Sequence, residues 1–343
     1  MGIVPVRGNG LDRSGERPRR WFGQPYPWRE AVRWVGNNLW GPSRRYAGLT
    51  RWLPPESTLG AVRRELVIAF AGDILPVGER RCRAAPALRA LLHGADLLVA
   101  NFEGTLAGSR VPRVFMAQAH GPGILEFLSD LFPPERTLLN VANNHAGDFD
   151  RDTFERSCER LEGAGFHVFG RADRPGVRVD DVLVAGYTEW SNQPCGAICR
   201  EEPRLEGEAA QLRVLTPHWG YELQAYPHPR QIARARDLAR RWDLVVGHHS
   251  HWPQPVTAYA EGGRMRPVAY SLGNFTFGLP FARHLHGLLL IVEVGPRQGG
   301  GGTWGVGRIT RWGTRTVLLG RREAMVVVDA GVGCQVPGAG SLG

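Results

Sequence analysis

Val245-Val246-Gly247-His248-His249-Ser250-His251 is a β-branched apolar run that stops at a glycine, with three histidines in the four residues that follow. A short apolar run that ends in chemistry fits a buried strand of an open α/β sheet, where ligands bind beyond the carboxyl ends of the strands. His249 and His251 stand one residue apart. In an extended or tightly turned segment their imidazoles aim at one small volume, and neutral imidazole is a good ligand for zinc, iron or manganese. The alternative is a solvated loop that happens to be histidine-rich, so the rest of the chain has to decide.

Working outward, the same pattern recurs. Residues 66–71 form an apolar run that ends at Gly72-Asp73, and residues 96–100 one that ends at Asn101-Phe102-Glu103. Residues 137–142 lead into Asn143-Asn144-His145, and residues 212–215 into Thr216-Pro217-His218. Asp73, Glu103, Asn144, His218, His249 and His251 therefore each sit just past the C-terminal end of an apolar run. Five strands would deliver candidate metal ligands to one rim. Helical periodicity predicts helices over 28–40, 80–93, 124–131, 152–163 and 231–241. From residue 288 the spacing turns all-β, with strands expected at 288–294, 304–310, 316–319 and 325–328. Strands alternating with helices give an α/β fold class.

Composition sets the limits. The formal charge is +9, and all 42 residues in the Lys+Arg class are arginine. That removes a P-loop lysine, a Schiff-base lysine and a lysine general base. Residues 1–65 hold twelve arginines against five acidic residues, a net of +7. Such an arm suits an anionic lipid surface, nucleic acid or an acidic polymer, or is simply a solvated extension. The expected organisation is an Arg-rich, partly helical extension over 1–62, one domain over 63–330, and a flexible Gly-rich tail over 331–343. Residues 1–27 are expected to be poorly ordered. Trp28, Val32, Val35 and Leu39 fall on one face of the helix over 28–40, which is expected to pack on the domain or, alternatively, to rest on a membrane surface.

The five cysteines lack the paired spacing of a zinc knuckle and point to a reducing, cytoplasmic setting. No apolar run approaches the roughly 20 residues of a membrane span, and the N-terminus lacks the apolar centre of a signal peptide. No nucleic-acid-binding motif is present, so a nucleic-acid partner is not expected.

The rim set is two carboxylates, an amide and three histidines, without thiolate. It suits one or two divalent ions, Mn, Fe, Zn or Mg. Two ions sharing a bridging carboxylate would lie about 3.5–4 Å apart, polarise a phosphoryl oxygen and activate water. His145 is placed to protonate a leaving group or to hydrogen-bond the substrate, and Asp148, three residues on, to hold the other ring nitrogen. Asn101 is given no metal role, and His248 is read as scaffold. Asn274 either caps a loop or touches substrate. His284 and His286 are read as structural.

Six motifs in one order carry a resemblance. They are Gly72-Asp73, Asn101-Phe102-Glu103, Asn143-Asn144-His145-x-x-Asp148, His218-Trp219-Gly220-x-Glu222, Gly247-x-His249-x-His251 and Ser271-Leu272-Gly273-Asn274-Phe275. Over roughly residues 66–295 the chain resembles the CapA family, named for capsule and poly-γ-glutamate synthesis and built on the calcineurin-like metallophosphoesterase fold. The resemblance implies a four-layer αββα sandwich around a binuclear site. Asp73, Glu103, Asn144, His218, His249 and His251 would be the ligands, His145 the catalytic histidine, and Glu222 and Asn274 substrate contacts. Two departures stand out. Leu75 occupies the place of a superfamily histidine, and Asn-x-Glu replaces an Asp-based turn, so one metal position is short of a ligand. The implied activity is a metal-dependent hydrolase or transferase acting on a phosphoester or acyl-phosphate, with an anionic or peptide-like substrate. The rivals are an enzyme of amide bonds, and a non-catalytic assembly subunit docked to a membrane surface or protein through its basic N-terminus.

Overall fold

The computed structural model describes residues 1–8, 25–113, 116–205 and 209–329. In chain order the strands are β1 (Ile3–Val6), β2 (Glu56–Thr58), β3 (Leu66–Ile74), β4 (Arg81–Ala84), β5 (Leu97–Phe102), β6 (Thr137–Asn140), β7 (His167–Phe169), β8 (Gly176–Val179), β9 (Val182–Thr188), β10 (Leu212–His218), β11 (Leu244–Val246), β12 (Val256–Glu261), β13 (Arg264–Ala269), β14 (Asn274–Thr276), β15 (His286–Pro296), β16 (Trp304–Leu319) and β17 (Glu323–Val328). The helices are α1 (Trp28–Trp40), α2 (Pro86–His93), α3 (Gly123–Leu131), α4 (Arg151–Gly163) and α5 (Pro229–Leu238).

The described strands make two sheets. One runs β1-β8-β9-β10-β11-β13-β12. The other runs β4-β17-β16-β15-β3-β5-β6-β7, with β14 added to β3 and β2 to β16. Each has a parallel centre, β9-β10-β11-β13 in the first and β3-β5-β6-β7 in the second. Parallel pairing brings the C-terminal ends of neighbouring strands to the same edge, which is why the sequence pattern becomes a rim.

The two-residue period of a strand sets the layers. In β3, Leu66, Ile68 and Phe70 face the other sheet, where they meet Val182, Val184, Val214, Leu244 and Val246. Val67, Ala69 and Ala71 face outward onto Leu88 and Leu92 of α2, Phe127 of α3 and Phe154 of α4. On the far side, Leu183, Leu215 and Val245 pack against Ile232, Ala235 and Leu238 of α5. The order helix, sheet, sheet, helix is the αββα sandwich that the resemblance implied. Each fully buried aliphatic side chain contributes roughly 1.5–3 kcal/mol.

Four expectations need correction. Residues 80–93 are not one helix: Arg81–Ala84 pairs with β17, and α2 begins only at Pro86. The proline holds the preceding Ala85 in extended backbone (φ −63°, ψ 150°), so a helix cannot run through it. Strands expected at 304–310 and 316–319 are a single 16-residue strand, β16, which β15 pairs along most of its length. Ile3–Val6, expected to be poorly ordered, pairs with β8, a strand the sequence reading did not separate from its surroundings. Tyr26, in the same stretch, is buried; residues 9–24 of that expectation, and the expected tail over 331–343, lie outside the described residues.

The fourth correction concerns α1, which has its expected bounds but not its expected packing. Trp28 (71% exposed), Val32 (65%), Val35 and Leu39 face away from the domain. The helix is held by polar contacts of its inner edge. Trp34 Nε1 donates to Glu222 Oε2 at 2.5 Å, and the Arg283 guanidinium donates to the carbonyls of Asn37 and Asn38. Among the described residues no helix is long and apolar enough to cross a membrane.

Gly247 follows β11 at a point where a neighbouring backbone and side chain both press close. A Cβ there would lie 2.2 Å from the Tyr270 carbonyl oxygen and 2.3 Å from Trp219 Nε1. Gly247→Ala should therefore destabilise the fold by about 1–3 kcal/mol, the usual cost of overpacking, read from urea unfolding. An unchanged midpoint would mean that the approach of Tyr270 and Trp219 is loose enough to accept a methyl group.

Candidate metal centre

Asp73 is the penultimate residue of β3, Glu103 follows the last residue of β5, His218 ends β10, and His249 and His251 lie in the loop after β11. Asn144 and His145 lie beyond β6 in a loop tied back to β5: Asn143 Nδ2 donates to the Phe102 carbonyl, and the His145 amide donates to Asn143 Oδ1. The structure thus brings all six sequence-predicted ligands together at one end of the two parallel centres, and all six are buried.

They form two groups with one member in common. Ligand atoms of Glu103, His218 and His249 lie within 4.8 Å of one another, as do those of Asp73, Glu103 and His251. In the first group His218 Nε2 is 2.9 Å from His249 Nδ1, 2.7 Å from Asn144 Oδ1 and 3.8 Å from Glu103 Oε1. In the second, His251 Nε2 is 3.6 Å from Glu103 Oε1, and its Nδ1 is 3.5 Å from Asp73 Oδ2. Leu75, where a further ligand was sought, is a buried core side chain.

Glu103 tests whether cations fit here. Its side chain is fully buried, and neither carboxylate oxygen has a hydrogen-bond partner. An ionised carboxylate in that state costs several kcal/mol unless a positive charge meets it. The remaining atoms around it are nitrogens and amide or carboxylate oxygens, the donor set of Mn, Fe, Zn or Mg rather than of a thiolate site. The residues present therefore fit one or two divalent ions.

Electrostatics follow from burial. Burial pushes the Glu103 carboxyl up to about 8, although the neighbouring His251 opposes this. Burial disfavours a charge on His251 too, yet Glu103 and Asp73 raise it to about 10. His218 and His249 are driven well below the ordinary histidine value by burial and by neighbouring histidines, so they are neutral and ready to ligate. Burial also opposes charge on Asp73, but His248 and His251 outweigh it and hold the carboxyl well below its usual range.

His145 is set apart from the ligands. Its Nδ1 donates to Asp148 Oδ2 at 2.6 Å, and its Nε2 looks into the centre, 3.8 Å from Glu103 Oε1. Burial lowers the tendency of this imidazole to charge, but Asp148 reverses the balance and raises its pKa. Asp148 is in turn held by the Gln118 amide at 2.9 Å.

Other predicted residues contact the candidate ligands or their neighbours. Asn274 Oδ1 accepts from His251 Nδ1 at 2.9 Å, and its Nδ2 donates to the His284 carbonyl. His248 Nδ1 lies 3.1 Å from Asp73 Oδ1. Both oxygens of Glu222 are taken by the protein itself, one accepting from the Tyr26 hydroxyl at 3.1 Å and the other from the Trp34 indole.

Sequence reasoning missed three groups. Asn101 Nδ2 donates to Asp73 Oδ1 at 2.8 Å and is 3.2 Å from His218 Nδ1. Its position at the end of β5 was the available signal. Asn192 brings its amide 3.3 Å from His145 Nδ1 and 3.4 Å from Asn144. Tyr26 places its hydroxyl oxygen 2.6 Å from His249 Nε2, and burial with the Glu222 carboxylate beside it keeps the phenol protonated. Nothing in the Arg- and Pro-rich sequence around Tyr26 announced this.

The chain is similar to known proteins over much of its length. The family profile described as bacterial capsule synthesis protein PGA_cap matches residues 67–184 and 196–279. Capsule biosynthesis protein CapA of Bacillus anthracis is 29% identical over 174 residues, covering 43% of this chain and 41% of that protein. PGA biosynthesis protein CapA of Bacillus subtilis (strain 168) is 27% identical over 217 residues, covering 56% of each. The chain spans about half the length of the curated relatives it matches. A crystal structure of a hypothetical protein from Thermus thermophilus aligns at 16% identity and a TM-score of 0.39, over 77% of this chain and 100% of that one.

The buried charges set a pH dependence for the metal-free protein. Glu103 titrates near 4.5 when unexceptional and about 8 here, and His251 near 6.5 and about 10. Between pH 6.5 and 8 these two groups hold more protons in the folded than in the unfolded state, so their contribution to stability falls as pH rises, while the neutral, buried His218 and His249 act in the opposite sense near pH 6.5. With chelator present, the unfolding free energy of wild type measured against Glu103→Gln should therefore drop by roughly 1–2 kcal/mol over that window. A wild-type stability that climbs with pH relative to Glu103→Gln would contradict this account of the centre.

Proposed function

The chain belongs to the PGA_cap family of bacterial capsule synthesis proteins, and on that premise we propose that it is a metal-dependent hydrolase or transferase acting on a phosphoester or acyl-phosphate. The observation that carries the reading is Glu103, a buried carboxylate with unpaired oxygens, shared between two groups of ligand atoms. Asp73, Glu103 and His251 would hold one divalent cation, and Glu103, Asn144, His218 and His249 a second. Cations bound there supply Lewis-acid polarisation of a phosphoryl oxygen and a lowered pKa for water.

The chain's own side chains do the rest. The Nδ1–H of His145 is locked to Asp148, so in the imidazolium form the second proton, on Nε2, is the one free to pass to a departing oxygen. The raised pKa keeps that proton available near neutral pH. Asn274 fixes His251 and Asn101 fixes Asp73, so the ligands are oriented before substrate arrives.

We take the substrate class from the family and from charge. The Bacillus subtilis relative is named for PGA biosynthesis, and a chain with a formal charge of +9 attracts an acidic polymer or its activated precursor. Poly-γ-glutamate or a related anionic, peptide-like polymer fits this description.

Purified protein should contain divalent metal by elemental analysis and should turn over a phosphoester or acyl-phosphate when given Mn²⁺. Chelation and His249→Ala should each abolish that turnover. His145→Ala should lower kcat by about 10²–10⁴-fold while the metal is retained, the usual contribution of a general acid. Turnover that survives both chelation and His249→Ala would overturn the proposal. A metal-loaded protein active only on amide substrates would replace it with the amide-bond reading.

A further inference from the structure

The N-terminal arm reaches the metal centre through one short chain of hydrogen bonds. Trp34 Nε1 donates to Glu222 Oε2 at 2.5 Å, the Tyr26 hydroxyl donates to Glu222 Oε1 at 3.1 Å, and the Tyr26 oxygen is 2.6 Å from His249 Nε2. A phenol has one proton. With that proton given to the Glu222 carboxylate, the tyrosine oxygen can only accept from the imidazole. His249 then carries its proton on Nε2, and its Nδ1 turns a bare lone pair toward His218 Nε2, 2.9 Å away. A histidine that ligates a metal through one nitrogen nearly always has its other N–H held by an outer partner, which sets the tautomer and the ring angle.

The rest of the arm is arranged to keep Tyr26 there. Its ring meets Trp190 edge-on at 5.0 Å and Tyr221 at 5.4 Å between centroids. Farther along, Ser43 exchanges backbone hydrogen bonds with Leu223 and Ala225, and the Leu223 amide donates to the Ser250 carbonyl in the histidine loop. Residues 222–225 are thus clamped between the arm and that loop. The loop needs such support, because His249 (φ 87°), His251 (φ 52°) and Leu223 (φ 52°) all occupy the left-handed region that side chains rarely adopt.

We propose that the N-terminal arm is part of the metal centre, and that Tyr26 is a positioning residue which fixes the proton of His249 on Nε2 and so presents Nδ1 to a cation. The inference rests on the metal-centre reading above and deepens it.

The test uses the full chain and the metals alone. Mn²⁺ binding is measured by titration calorimetry, and the visible absorption of the Co²⁺-loaded protein is recorded for wild type, Tyr26→Phe and the control Tyr46→Phe. Tyr46 lies in the same arm and packs on His228 without bonding to the centre. Tyr26→Phe keeps the ring contacts and removes only the hydroxyl. It should weaken one Mn²⁺ binding event by about 10–100-fold and shift the Co²⁺ bands, with the metal-free melting temperature close to wild type. Tyr46→Phe should match wild type in both. Glu222→Ala provides an independent route, because it frees the phenol proton to turn toward His249 and should weaken the same event. Wild type that takes up cations while Tyr26→Phe binds them equally, with the same Co²⁺ spectrum, overturns this inference alone. Wild type that takes up no cation overturns the metal-centre reading and this inference with it.

Discussion

A carboxylate that is fully buried and meets no hydrogen-bond donor is the constraint from which the rest of the molecule can be understood. Glu103 sits just past the end of β5, beside the neutral His218 and His249 and the proton-holding His251. Its cost as a lone charge would be several kcal/mol, a large share of the net stability of any domain. A centre that keeps such a group gains a use from it. Two clusters of nitrogen and oxygen donors converge on the same carboxylate, so the group that is most unfavourable as a lone charge is also the one that would bridge two cations.

The fold is organised to hold that arrangement. Two parallel sheet centres bring strand ends to a common rim, and the apolar layer between the sheets fixes their separation. Side chains distant in sequence can then be held by short polar contacts: Asn101 to Asp73, Asn274 to His251, Asn143 to the end of β5. Backbone strain is concentrated in the histidine loop, where His249 and His251 adopt positive φ. Strain of about 1–3 kcal/mol per residue persists only where surrounding contacts determine the conformation. Here the contacts are the His249 amide on Asp73 and the Ser250 hydroxyl on the Gln224 carbonyl.

How much of this was legible in the sequence depended on the kind of signal. Strands β3, β5, β10 and β11 were readable because they are buried on both faces, which gives continuous apolar runs with an abrupt polar end. The convergence of the six ligand residues followed from those ends. Helix α2 was misjudged because helical periodicity continued past a proline that the backbone cannot ignore. The α1 stripe was assigned inward because periodicity identifies a face without saying where it points, and here hydrogen bonds hold the opposite edge. Asn192 and Tyr26 were out of reach for a different reason. Each acts through contacts made across a long sequence gap, and no local pattern encodes such contacts.

The account stands on Glu103 being shared by two cations. Crystals grown with Mn²⁺ and measured at the manganese absorption edge test this most directly. It predicts two anomalous peaks flanking the Glu103 carboxylate, one beside Asp73 and His251 and the other beside His218 and His249. Peaks elsewhere on the protein, or a Glu103 carboxylate without a neighbouring peak at saturating Mn²⁺, would contradict it.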